Sequence, residues 1–258
     1  MNRLASVGII IILLLWVTTA SAGTLGFHLG IGTSVASFGE LNESIKPFNR
    51  ILTDLNNDPL IDGTAPLLNN LSSGFAFQGG QQFWFNDRVA IGGKLEFFRA
   101  STATAGTFTL DGVDSEINIA LDCFSVGIIL GGRYMFLDAG IRLFADLGVG
   151  YYFSGFTRAI TFQIPEGHLL AGAPPAEGKG RYTGSAFGFE GGLTISLPLT
   201  DWFAVGSSVF YRSLTFDELT NTEEGVALDL DGDGQDESVD LSGITVQFTF
   251  TIKIDLSL

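Results

Sequence analysis

From Ile244 to Leu258 apolar and polar residues alternate without a break. Ile244, Val246, Phe248, Phe250, Ile252, Ile254, Leu256 and Leu258 share one face, while Thr245, Gln247, Thr249, Thr251, Lys253, Asp255 and Ser257 share the other. A period of two residues is that of a β-strand. The run is much longer than the about five or six residues usual in soluble sheets, and its length suits a tilted strand that crosses a bilayer. The same alternation recurs at 141–154 and 185–197, with weaker versions over 25–38, 74–85, 88–104, 117–136 and 203–216, so that eight strands are predicted.

The connections fall into two kinds. Asn86-Asp87 and the stretches 137–140 and 199–201 read as tight turns, whereas 39–72, 105–116, 160–180 and 217–240 read as long loops. An even strand count with short turns at one end and long loops at the other predicts an all-β fold. Specifically, it predicts an eight-stranded antiparallel up-and-down transmembrane β-barrel with short periplasmic turns and long extracellular loops. Lipid imposes closure, because an unpaired backbone group in hydrocarbon costs several kcal/mol and only a closed barrel has no sheet edge. Phe83, Trp84, Phe85, Tyr134, Phe136, Trp202 and Phe203 cluster near the turns and are expected to form the periplasmic aromatic girdle. Phe97, Tyr151, Phe153, Phe187 and Tyr211 are expected to form the outer one. The competing soluble barrel or sandwich would turn the aliphatic faces inward and leave long glycine runs outside.

The strand count, the loop asymmetry and strand-turn-strand stretches such as Pro198-Leu199-Thr200-Asp201-Trp202-Phe203-Ala204-Val205-Gly206 resemble the small outer-membrane barrel family typified by the OmpA transmembrane domain, a porin-like β-barrel. The resemblance covers residues 23–258 and is architectural. It implies residence in a bacterial outer membrane, contact with outer-membrane lipid and insertion by the barrel-assembly machinery. Barrels of this kind commonly end in an aromatic residue, where this sequence has Leu258.

Composition sharpens this picture. The 258 residues are 46% hydrophobic, with 23 Phe and 34 Gly, and beyond the N-terminus no apolar run approaches the length of a spanning helix. At the N-terminus Arg3, an apolar run over 9–17 and Ala20-Ser21-Ala22 predict a cleaved secretory signal peptide, residues 1–22, ahead of a barrel domain at 23–258. A net charge of −15 argues against a nucleic-acid partner. With Cys123 as the single cysteine, the fold is held without disulfides within the chain.

If the aliphatic faces meet lipid, the lumen receives His28, Gln78, Gln82, Lys94, Glu96, Arg133, Arg142, Asp146, Glu190, Arg212, Lys253 and Asp255. Buried charges need partners, so ion pairs across the lumen are expected, with Arg142–Asp146 and Arg133–Glu190 as examples. An eight-stranded barrel is about filled by its own side chains, which favours a plugged lumen, while the many inward glycines keep a thin pore or cavity as the alternative. In the last loop Asp229, Asp231, Asp233, Gln235, Glu237 and Asp240, with Gly234 at the sixth position, follow the spacing of an EF-hand-like Ca²⁺ loop. Ten acidic residues and no basic one in 217–240 add charge for a cation, and no other cofactor is expected. In the first loop Ile45, Phe48, Leu52 and Leu55 recur at helical spacing, with Ser44 as N-cap and Asn56-Asn57-Asp58-Pro59 as a stop. This predicts a short amphipathic helix packed over the barrel mouth as a lid or plug, with the membrane surface or a partner as the alternative place for its apolar face. Neither His28 nor His168 stands in a nucleophile motif, so no enzyme is expected. The function expected is a structural, surface-interaction or adhesive barrel that meets an extracellular ligand or cell surface, with small porin-like or hydrophobic-solute transport as the alternative.

Overall fold

The computed structural model describes residues 23–43, 45–59, 61–110, 113–163, 178–229 and 236–256. The predicted signal peptide, Ser44, His168 and the centre of the acidic loop, including Asp231, Asp233 and Gln235, lie outside the described residues. Eight strands form the barrel. They are β1 (Thr24–Ala36), β2 (Ser73–Trp84), β3 (Val89–Leu110), β4 (Val113–Asp138), β5 (Arg142–Gln163), β6 (Gly178–Pro198), β7 (Phe203–Ser213) and β8 (Gly243–Asp255). Each strand pairs antiparallel with the next, and β8 pairs with β1 from Gly243↔Ala36 to Asp255↔Thr24, which closes the ring. The aliphatic faces point outward, as Ile244, Val246, Phe248, Phe250, Ile252 and Ile254 on β8 show, and this excludes the soluble arrangement. From Ile244 to Ile254 the apolar belt is roughly 25 Å tall, at ~3.4 Å per residue and ~40° of tilt, which is the height of a membrane-spanning barrel belt.

The short turns form as their residues dictate. The Asn86 side chain accepts from the N–H groups of Arg88 and Val89 at 2.8 and 2.9 Å, and Thr200 Oγ1 accepts from Phe203 N–H at 3.0 Å. The third turn passes through Gly140 at φ 79°, a left-handed conformation that costs glycine little.

The strands are of two lengths. β1, β2, β7 and β8 have 13, 12, 11 and 13 residues, enough for the belt, whereas β3 to β6 have 22, 26, 22 and 21 and rise well above it. The rise corrects the loop expected at 105–116, because strand structure continues to Leu110 and resumes at Val113. The physical reason is an inversion of phase. Within the belt the apolar residues face out, as Phe124, Val126 and Ile128 do; above it they face in, as Ile117, Ile119 and Leu121 do, while Asp114 and Asp122 face water. Trp84 is corrected too, since it is buried inside the barrel instead of joining the girdle.

The loops fill the space behind this tall wall. The first loop folds into α1 (Gly39–Glu43) and α2 (Ile45–Asn57), and α2 buries Ile45, Phe48, Leu52 and Leu55. These side chains share one apolar cluster with Phe98, Phe108, Ile117, Leu121, Tyr152 and Phe156 of the barrel wall, and with Leu219, Leu228 and Val239 of the last loop. The chain enters α1 through Phe38, at φ 59°, and burial of Phe38 against Phe98 at 6.1 Å offsets the strain of that left-handed conformation. Both upper edges of the wall are capped. Ile61–Thr64 pairs with the end of β3, and Thr220–Asn221 pairs with Tyr182 and Thr183 of β6, so each edge is paired over part of its length.

Candidate functional site

The barrel closes at three successive levels. At the periplasmic end Trp84, Ala90, Met135 and Phe144 form a small apolar septum, with the Trp84 and Phe144 rings 5.8 Å apart. Above it lie the ion pairs. Arg133 Nε donates to Asp146 Oδ1 at 2.5 Å, and Thr194 donates to the second Asp146 oxygen at 2.8 Å. Lys94 pairs with Glu190 at 2.6 Å and donates to Gln78 at 2.9 Å. Arg212 pairs with Glu96 and donates through Nε and Nη2 to the Leu241 carbonyl at 3.2 and 3.1 Å.

The pairings correct those expected from sequence. Arg133 and Asp146 stand opposite each other in the β4–β5 register, so Arg133 meets Asp146 and not Glu190. Arg142 lies at the β4–β5 turn, where Asp138 is its partner at 3.3 Å. Lys253 and Asp255 also leave the central lumen. With Arg142, Asp138, Asp201 and Trp202 they line a cavity of about 470 Å³ at the periplasmic mouth, and Lys253 sits 4.8 Å from the Trp84 ring centre. The remaining predicted lumen residues, His28, Lys94, Glu96, Arg133, Asp146, Glu190 and Arg212, are gathered inside.

Two of the pairs join strands that are not neighbours. Lys94 and Glu96 on β3 reach Glu190 on β6 and Arg212 on β7, so both bridges span the bore as struts. Each cation also lies near an aromatic ring, Lys94 4.3 Å from Phe210 and Arg212 5.3 Å from Phe98, which adds attraction in a desolvated site. The cavity left among His28, Gln78, Lys94, Arg133 and Glu190 is about 30 Å³, room for about one or two water molecules.

Tyr152 was not legible as part of this site. Its ring is fully buried and lies against Gly127, Gly150 and Gly188, so that a Cβ at Gly127 would stand 2.4 Å from it. The inward glycines here make room for a side chain and leave no channel. Above Tyr152 begins the apolar head formed by the wall and the two loops.

In the head the two loops are tied together. Glu40 Oε2 accepts from both the backbone N–H and the hydroxyl of Ser238, at 2.8 and 2.7 Å, and these bonds hold the Glu40 carboxyl below the usual carboxylate range. Of the candidate Ca²⁺ ligands, Asp229, Glu237 and Asp240 are described. Among the described residues no three acidic, histidine or cysteine side chains are grouped to hold a metal. Asp240 instead accepts from Ser242 N–H at 2.9 Å.

No protein-family model matches the sequence, and no curated protein matches it either. Solved structures do. The outer membrane protein OprG from Pseudomonas aeruginosa is 13% identical with a TM-score of 0.45, over 91% of this chain and 97% of that one. Ail, the attachment invasion locus protein of Yersinia pestis, in complex with the heparin analogue sucrose octasulfate, is 10% identical with a TM-score of 0.43, over 90% and 99%. The outer membrane protease OmpT from Escherichia coli is 9% identical with a TM-score of 0.43, over 92% and 100%. The assignment as a membrane barrel rests on the closed antiparallel ring and its apolar belt, the architecture of bacterial outer-membrane proteins.

Proposed function

We propose that this chain is a non-conducting, non-enzymatic outer-membrane barrel whose work is done by its extracellular head, as a structural or adhesive surface that meets an external ligand or cell surface. One observation carries the reading: the bore is obstructed in series by an apolar septum, cross-lumen struts and a side-chain-filled head. A chain built to pass solutes has no use for three barriers. The head, by contrast, is large, folded and tied loop to loop, which suits a surface that must hold its shape. Insertion would fall to the barrel-assembly machinery, and the acidic last loop would take Ca²⁺ at the ~10⁻⁴ to 10⁻³ M affinities of extracellular sites.

Planar-bilayer recording of the mature barrel tests the reading. Only brief, irregular current is expected; stable steps of large conductance would restore the transport alternative. Deleting 217–240 should abolish attachment of expressing cells to a target surface and leave permeability unchanged. Calorimetric titration with Ca²⁺ alone should show a site that Asp231→Ala removes, and indistinguishable isotherms would reduce the acidic loop to diffuse counterion binding.

A further inference from the structure

Above Arg99 the β2–β3 ladder has ended, yet β3 continues to Leu110. The space beside it is taken by residues 65–72, which run between the short strand Ile61–Thr64 and the start of β2. This segment is fastened in an unusual way. Asn42 donates to the Leu71 carbonyl at 2.7 Å and accepts from Leu71 N–H at 2.8 Å. Asn49 does the same with Leu68, at 2.9 and 2.7 Å, and Asn56 with Ala65, at 2.8 and 2.8 Å.

The match is one of pitch. Asn49 and Asn56 of α2 are seven helical residues and so about 10.5 Å apart, and three extended residues span about 9–10 Å, so amides seven apart on that helix meet residues three apart on the extended side. The same three residues, Ala65, Leu68 and Leu71, are the ones buried, whereas Leu67 between them is 49% exposed. Contact with the barrel is close but sparse in hydrogen bonds. At Gly106 a Cβ would stand 2.4 Å from that of Ala65, and Thr104 Oγ1 donates to the Pro66 carbonyl at 2.5 Å.

We infer that residues 65–72 are a strap that opens and closes as one unit, with the Asn42, Asn49 and Asn56 ladder as its fastening, and that the head can be unsealed while the barrel beneath stays shut. Three identical clamps on one short segment share its fate, because releasing the middle one removes the geometry that aligns the other two. The anchors at either end belong to the barrel: the Ile61–Thr64 pairing with β3, and Ser72, whose carbonyl accepts from Ala36 N–H at 3.0 Å. Opening uncovers the inner face of β3 and β4, where Phe98, Phe108, Ile117, Ile119 and Leu121 share an apolar cluster with the strap's buried side chains.

Amide hydrogen exchange of the full mature chain in bilayer nanodiscs tests this, since Ala65, Leu68 and Leu71 N–H groups each report on one clamp. In the wild type the three should exchange at one common rate, faster than the amides of the β1–β8 ladder. Asn49→Ala should speed all three by at least about tenfold and leave β1–β8 unchanged. Acceleration at Leu68 alone would overturn the strap, as would acceleration that extends into β1–β8. Asn49→Asp keeps the volume and the acceptor for Leu68 N–H but loses the donor to its carbonyl. The strap requires Ala65 and Leu71 to exchange faster in that variant as well, whereas a local clamp leaves them untouched.

Discussion

Cutting one strut should strand its partner, and the structure gives the size of the effect. Arg212 is buried and serves three sets of groups: the Glu96 carboxylate, the Leu241 carbonyl and the faces of Phe98 and Tyr152. Arg212→Met leaves Glu96 charged and unpaired in the bore, at a cost of about 3–5 kcal/mol. It also leaves the Leu241 carbonyl without these donors, which adds about 1–3 kcal/mol. Glu96→Leu should cost about 3 kcal/mol, since the guanidinium keeps the Leu241 carbonyl and both rings. In the double variant neither charge remains, and two apolar side chains fill the gap beneath Tyr152. The double variant should therefore lie below the sum of the singles, with a coupling energy of about 2–3 kcal/mol. Urea unfolding of the barrel in lipid vesicles, followed by the fluorescence of Trp84 and Trp202, measures each corner of the cycle. Arg99–Asp122 is the control, an exposed outer-face pair at 2.6 Å whose coupling should be under about 1 kcal/mol. Additive costs for Arg212 and Glu96, or singles costing under about 1 kcal/mol, would refute the account of the struts as desolvated pairs.

Other consequences can be checked in the same preparation. Gly127→Ala drives a methyl into the Tyr152 ring and should destabilise by about 1–3 kcal/mol, whereas Gly132→Ala, whose nearest neighbour is the Ala90 carbonyl at 3.8 Å, should change the unfolding midpoint little. Equal effects would remove Tyr152 from its glycine seat. Glu40 titrates lower in the fold than in the unfolded chain, so its link to Ser238 is complete at neutral pH and is lost as the pH falls through the folded value. Proteolysis of the last loop should accordingly quicken on acidification, and Glu40→Ala should give faster cleavage at neutral pH and a smaller increase on acidification than the wild type shows.

The eight strands could be read from sequence because the belt imposes a long, regular alternation that nothing soluble needs. The tall wall could not, because the alternation inverts where lipid gives way to water. Ala105 and Thr107 face out while Phe108 and Ile117 face in, a pattern opposite to that of Phe124 and Ile128. Which face of each strand turns inward followed from the period; that Arg142, Lys253 and Asp255 stop at the periplasmic mouth, and which charges meet, did not. The Lys94–Glu190 and Arg212–Glu96 bridges depend on the stagger of strands three and four places apart in the ring, and no local spacing encodes that stagger. The helix at Ile45–Asn57 was visible in its apolar spacing. The role of Asn42, Asn49 and Asn56 was not read from their spacing, because it lies in a partner segment whose position only the tertiary structure supplies.

The asparagine ladder grips main chain and ignores side chains. Pro66, Leu67, Asn69 and Asn70 turn outward and take no part in the clamps at Ala65, Leu68 and Leu71. A surface segment of this kind separates its frame from its face. Substitutions at the outward positions can redraw the solvent-facing surface while the loop keeps its path, whereas substitution of any of the three asparagines removes part of what holds that path.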